Sequence, residues 1–143
     1  MLKEDVIWAW CPGCEAAFQK LKHALTSSPI LALPDPHRPY YVCTDYSHVA
    51  VGAILEQLQA DGKRHVVSYA SRTCSTAESK LGPTDGELLA IVYAVEKFHH
   101  YLAGTPFIVI TDHTAPLYLH EAKNKNPKLA RWAMKLAGYN FTL

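Results

Sequence analysis

Phe107-Ile108-Val109-Ile110-Thr111 is an unbroken run of aromatic and β-branched residues, without the apolar–polar alternation of a strand that has one wet face. Such a run fits a central strand, buried between layers. Upstream, Leu88, Leu89, Ile91, Val92, Val95, Phe98 and Leu102 are mostly spaced by three or four, which predicts a helix over residues 84–102. Gly104 ends it and Pro106 follows. A helix leading into a buried strand is a crossover, and the crossover is right-handed if the strands that it joins are parallel.

The remaining elements are consistent with that arrangement. Residues 40–44, 51–57 and 65–70 read as strands, and Asp61-Gly62 is a strong hairpin signal between the second and third. A meander of three antiparallel strands is expected, with the run at 107–111 parallel to the first. Residues 128–137 read as a helix with Leu129, Trp132, Ala133 and Leu136 on one face, and residues 139–143 alternate like a last strand. The order β-β-β-α-β-α-β predicts an α/β fold, a sheet with helices packed on it. An earlier helix is predicted over residues 12–25, where Phe18, Leu21 and Leu25 share a face. Three prolines at 29, 34 and 36 then make an extended connector. The expected division is an N-terminal helix and Pro-rich connector over 1–36 and a compact domain over 37–143.

At 143 residues the chain suits one domain with a substantial core. No apolar run reaches the roughly 18 residues of a membrane span. Met1-Leu2-Lys3-Glu4-Asp5 places acid where a secretory signal has a cationic region and apolar stretch. A net charge of +1 gives little long-range attraction to nucleic acid, so any such affinity comes from a local patch or a linked domain. Of four cysteines, Cys11 and Cys14 form a C-x-x-C, half of a zinc site or a redox pair. Structural zinc uses two close pairs, and neither Cys43 nor Cys74 has a paired neighbour. The plain reading is four reduced thiols in an intracellular protein.

Three acids stand out. Asp45 ends the first strand run, Asp112 ends the fourth, and Glu87 opens the long apolar helix. Carboxylates at two strand ends and one helix start can converge on hard divalent cations, and two such cations clamp the attacking and leaving oxygens of a phosphodiester. Each acid also has a structural reading. Asp45 can cap a turn, and Asp112 can begin one. Thr84-Asp85-Gly86-Glu87 is T-x-x-E, a capping box that would occupy Glu87 with backbone donors. If the first and fourth strands are parallel neighbours, Asp45 and Asp112 share one sheet edge, where α/β folds place ligands.

Thr44-Asp45, Val51-Gly52-Ala53-Ile54-Leu55, Ser68-Tyr69-Ala70-Ser71-Arg72, Glu87-Leu88-Leu89-Ala90-Ile91-Val92, Glu96-Lys97-Phe98, His100-Tyr101-Leu102, Thr111-Asp112-His113 and Ala130-Arg131-Trp132 occur in this order. Through these islands the chain from Pro29 to Leu143, about four fifths of its length, resembles the RNase H domain of gypsy-type LTR retrotransposon reverse transcriptases. The helix around Cys14 looks like the segment just before that domain. The resemblance implies an RNase H-like mixed five-stranded sheet with flanking helices. It implies an endonuclease that cuts the RNA strand of an RNA–DNA hybrid with Mg²⁺ or Mn²⁺, with metal ligands on Asp45, Glu87 and Asp112. It also implies a reverse transcriptase domain upstream in a polyprotein, and a cytoplasmic, virus-like-particle setting if the element is active.

The chain departs from the family at some positions. A small residue usually follows the first aspartate, where this chain has Tyr46, and Gly86 loosens the helix start. Family members continue past the last strand into an Arg-Pro-Gly turn and a helix with a fourth aspartate, whereas this sequence stops at Leu143 with that helix missing. The expectation is that the 143-residue chain cleaves hybrid poorly and that extension restores cleavage. His113 positions a phosphate, carries a proton, or caps a turn. Lys128, Arg131 and Lys135, spaced by three and four, form a phosphate-contacting ridge or a solvated helix face. Beside the nuclease stands a second reading, a non-catalytic RNase H-like module serving as spacer, dimer surface or hybrid-binding platform.

Overall fold

A computed structural model of the chain describes residues 8–28, 30–111 and 126–143. Its elements are α1 (Pro12–Thr26), β1 (Tyr40–Tyr46), β2 (Ala50–Leu58), β3 (Arg64–Thr73), a 3₁₀ turn (Glu78–Lys80), α2 (Pro83–Lys97), α3 (His99–Leu102), β4 (Phe107–Ile110), α4 (Pro127–Leu136) and β5 (Phe141–Thr142). The strands make one five-stranded sheet in the order β3-β2-β1-β4-β5. β1, β2 and β3 are an antiparallel meander, β4 runs parallel to β1, and β5 parallel to β4. The expected mixed sheet with flanking helices is therefore present.

Local chemistry sets the meander. In the hairpin after β2, Gly62 takes φ 75°, a left-handed conformation that favours glycine. Asp61 Oδ1 accepts from Lys63 N–H at 3.0 Å, and Gln59 N–H donates to Lys63 O at 2.8 Å. Further along, Leu55 pairs with Ser68 but Glu56 with Val66, so Val67 is the extra residue of a bulge in β3.

One face of the sheet carries the core. Tyr40, Val42, Ala53, Leu55, Phe107 and Val109 meet Leu88, Ile91, Val92, Val95 and Phe98, and Leu136 of α4 joins them. Burying each large side chain there contributes about 1.5–3 kcal/mol relative to exposure. Two expectations are corrected. The helix foreseen over 84–102 breaks at Phe98, whose backbone sits at φ −98°, ψ 16°. Phe98 at the break and Leu102 beyond it remain buried, because the apolar period reports burial and not single dihedrals. The apolar run 107–111 does occupy a central strand, but it is buried on one face only. Phe107 and Val109 point into the core, while Ile110 is 37% exposed.

The Pro-rich connector is tied to the sheet. Ala32 N–H donates to Val66 O at 2.8 Å and Val66 N–H to Ile30 O at 3.2 Å, which covers part of the β3 edge. Gln57, fully buried in β2, accepts from Asp35 N–H at 2.8 Å and donates to Asp35 O at 2.8 Å and Arg38 O at 3.0 Å. α1, by contrast, buries no residue.

Candidate active site

β1 runs two residues past its expected end, because Asp45 and Tyr46 still pair with Gly52 and Val51 of β2. Ser47 then turns the chain, its Oγ accepting from the N–H groups of Val49 at 3.3 Å and Ala50 at 3.0 Å. Asp45 is thus held inside a ladder and not at a loose strand end. Alternation along β1 buries Thr44 toward α2 and leaves Asp45 exposed on the opposite side. Thr44 Oγ1 is buried with no hydrogen-bond partner among the described residues. A groove of about 430 Å³ is lined by Asp45 with Cys43, Gly52, Ile54, Tyr69 and Ser71.

Glu87 lies in α2 and is 4% exposed. The capping-box reading fails, because Gly82 is the N-cap and Pro83 begins the helix, so Thr84 is already inside it.

The two acids are linked through their chain neighbours. The Tyr46 ring covers Gly86 so closely that a Cβ added there would lie 2.6 Å from Tyr46 Cγ and nearer still to the ring edge. Tyr46 Oη donates to Glu78 O at 2.7 Å, which pins the ring over the helix start. Asp45 and Glu87 each adjoin one member of this contact. Tyr46 and Gly86 are therefore one arrangement: the larger side chain on the strand occupies space that the glycine leaves on the helix.

The loop that accepts the Tyr46 hydroxyl is itself fixed. Arg72 grips Glu78 bidentately, with both N–O distances 2.8 Å, and Ser75 N–H donates to Glu78 Oε2 at 2.8 Å. The Arg72 side chain, then the Ser75 N–H, hold the Glu78 carboxyl down at about 2. His48 Nδ1 lies 2.9 Å from Ser79 O on the same loop.

Asp45 and Glu87 are hard oxygen donors, the kind that Mg²⁺ and Mn²⁺ take. Asp112 and His113 lie outside the described residues. Among the described residues, no group of three or more His, Cys, Asp or Glu is placed to hold a metal. β1 and β4 are parallel, with Cys43 opposite Ile110, so both strands finish at one sheet edge.

Lys128, Arg131 and Lys135 do share a surface. They line a cavity of about 390 Å³ with Ala77, Glu78, Leu81 and Trp132. Two of the three already face acids of α2. Lys128 Nζ is 4.0 Å from Asp85 Oδ2 and 4.9 Å from the Trp132 ring centre, and Lys135 Nζ bonds Glu96 Oε1. Arg131 is exposed. This cavity and the groove beside Asp45 have no lining residue in common.

The described residues contain no helix long and apolar enough to cross a membrane. Two relatives show where such a chain occurs. The retrovirus-related Pol polyprotein from transposon 297 of Drosophila melanogaster is 39% identical over 127 residues, covering 89% of this chain and 12% of the polyprotein. The transposon Tf2-3 polyprotein of Schizosaccharomyces pombe is 37% identical over 147 residues, covering all of this chain and 11% of the polyprotein. The chain thus spans about a ninth to an eighth of their length. Among solved structures, a foamy viral protease–reverse transcriptase in complex with RNA/DNA hybrid matches 94% of this chain and 19% of its own, with TM-score 0.59 and 20% identity. RNase H1 from Halobacterium salinarum matches 72% of this chain and 80% of its own, with TM-score 0.50 and 15% identity. These likenesses carry the fold. The family model for the RNase H-like domain found in reverse transcriptase matches residues 10–109, and the chain belongs to that family.

Proposed function

We propose that this chain is a nuclease domain of a retrotransposon polyprotein that hydrolyses the RNA strand of an RNA–DNA hybrid, with Mg²⁺ or Mn²⁺ held by Asp45, Glu87 and Asp112. The observation that carries the reading is the Tyr46–Gly86 contact, which joins the strand bearing Asp45 to the helix bearing Glu87 in a chain of this family. When bound, the cations supply Lewis-acid stabilisation of the phosphodiester and lower the pKa of attacking water. Asp45, exposed in its groove, is open to an incoming phosphate, and Glu87, buried in α2, has little freedom to move. His113 positions a phosphate or carries a proton. Arg131 is the leading phosphate contact on α4, and Lys128 and Lys135 contribute less because acids of α2 already face them. A reverse transcriptase domain belongs to the same polyprotein, a reading supported by the family and by the Pol polyprotein relatives.

Calorimetry with Mn²⁺ and cleavage of a labelled hybrid test this together. Wild type binds Mn²⁺, and whatever cleavage it shows disappears in Asp45→Asn and Glu87→Gln. Binding curves for wild type and Asp45→Asn that superimpose reject the metal site. Metal binding without cleavage leaves the non-catalytic module as the function.

A further inference from the structure

Cys11 and Cys14 open α1, and their sulfur atoms lie 3.3 Å apart. Cys11 is the N-cap, and the helix's first hydrogen bond runs from Glu15 N–H to Cys11 O at 3.1 Å, beside the pair. A disulfide at roughly 2.05 Å needs only a small closing of that gap, within reach of side-chain rotation. The other two thiols are placed differently. Cys43 donates to Glu56 Oε2 at 3.5 Å within the sheet, and Cys74 to Ser47 O at 3.5 Å. Nothing in the nuclease reading uses Cys11 or Cys14.

We propose that Cys11 and Cys14 are a redox-active pair, oxidised to an intrachain disulfide by a small-molecule disulfide such as oxidised glutathione. The Cys11 thiolate attacks one sulfur of the small disulfide, the S–S bond breaks, and one small thiolate leaves. Cys14, deprotonated, then attacks the Cys11 sulfur of the mixed disulfide and expels the second small thiol. Two protein thiols are oxidised and one small disulfide is reduced to two thiols, so electrons and protons balance.

The helix start favours this order of attack. The backbone N–H of Cys14, followed by the Cys14 side chain and the N–H of Gly13, holds the Cys11 thiol below its ordinary range. Burial and the neighbouring Glu56 push Cys43 up to about 11, which makes it the poor competitor. The pair also has an optical reporter. Trp10 Nε1 donates to Glu15 Oε2 at 2.8 Å, and its ring lies edge-on to Phe18 at 5.7 Å, so an indole is fixed to the same helical turn. A disulfide beside an indole quenches its emission.

The test equilibrates the full chain with oxidised and reduced glutathione, followed by acid quench, alkylation, intact mass and peptide mapping. Because α1 buries nothing, Cys11→Ser and Cys14→Ser leave the folded body intact, which circular dichroism verifies. Wild type is expected to lose the mass of two hydrogens, retain no glutathione and dim in tryptophan emission. Cys14→Ser should trap one glutathione on Cys11. Under alkylation, Cys11 should react roughly tenfold or more faster than Cys43. The proposal is overturned if wild type keeps glutathione on Cys11, if the disulfide involves Cys43 or Cys74 or joins two chains, or if Cys11→Ser is oxidised as fast as wild type.

Discussion

The Tyr46 ring lies where any side chain at Gly86 would have to go. Strand and helix are fitted to each other at this point, one residue from Asp45 on one side and one residue from Glu87 on the other. Gly86→Ala should therefore destabilise the protein by about 1–3 kcal/mol through overpacking, although alanine is the better helix former by about 1 kcal/mol. With Tyr46→Ala already in place, the same change should reverse sign and stabilise by up to about 1 kcal/mol. Urea unfolding of the four proteins measures the coupling. Additive effects of the two substitutions would mean that the ring does not occupy that space.

Gln57 is an interior polar residue whose amide is fully engaged with the connector. Gln57→Met keeps the volume and removes three hydrogen bonds, leaving backbone groups of Asp35 and Arg38 without their partner. The expected loss is about 2–4 kcal/mol, with faster amide exchange at Asp35 and faster proteolysis across the connector. A Gln57→Met protein with wild-type stability and exchange would show that the connector is held by other contacts.

Acid should weaken the loop that supports Tyr46. The folded Glu78 carboxyl titrates at about 2, against 4.5 ordinarily, because of Arg72 first and Ser75 second. A depressed carboxyl contributes in full above 4.5 and loses its contribution as pH falls toward 2. The side chains are partly exposed, so solvent screening brings the effect down to about 1–2 kcal/mol. Unfolding free energy measured from neutral pH downward should fall more steeply in wild type than in Glu78→Gln, and parallel curves would count against the ion pair.

Hybrid binding should depend unequally on the basic ridge. Arg131→Ala is expected to weaken binding severalfold and to reduce the salt slope by about one charge. Lys128→Ala and Lys135→Ala should each do less, since Asp85 and Glu96 already face those cations. Filter binding across a salt series reads this directly. Equal losses for all three would show that the α2 acids give way when nucleic acid arrives.

Much of the architecture was legible because it rests on local codes. The Asp61-Gly62 turn, the prolines and Gly104 are punctuation that the backbone obeys, and the periods of two and near four place strands and helices to within a few residues. The limits of that reading were also physical. Strand ends depend on the partner strand, which is why β1 reached Tyr46 and Asp45 came to sit inside a ladder. Helix continuity depends on single dihedrals, which the buried pattern through Phe98 hides. The chain neighbours of the basic ridge gave no sign that its neutralising acids come from α2, 39 residues upstream in the case of Lys135 and Glu96.

Asp45 and Glu87 are visible as letters, a carboxylate on a strand run and another at the head of an apolar stretch. Their surroundings are not. Tyr46 and Gly86 are two separate oddities in the sequence, and only packing makes them one feature, because a side chain's space is defined by what lies across from it and not by what precedes it. Gln57 likewise reads as an ordinary polar strand residue until its three hydrogen bonds to Asp35 and Arg38, 22 and 19 residues away, appear. Turn chemistry and hydrophobic period act over a few residues, so the letters alone place Asp45 on a strand and Glu87 near the start of an apolar helix. Contacts between segments far apart in the chain set which of those residues touch, which face Asp45 takes and which cations of α4 are already paired.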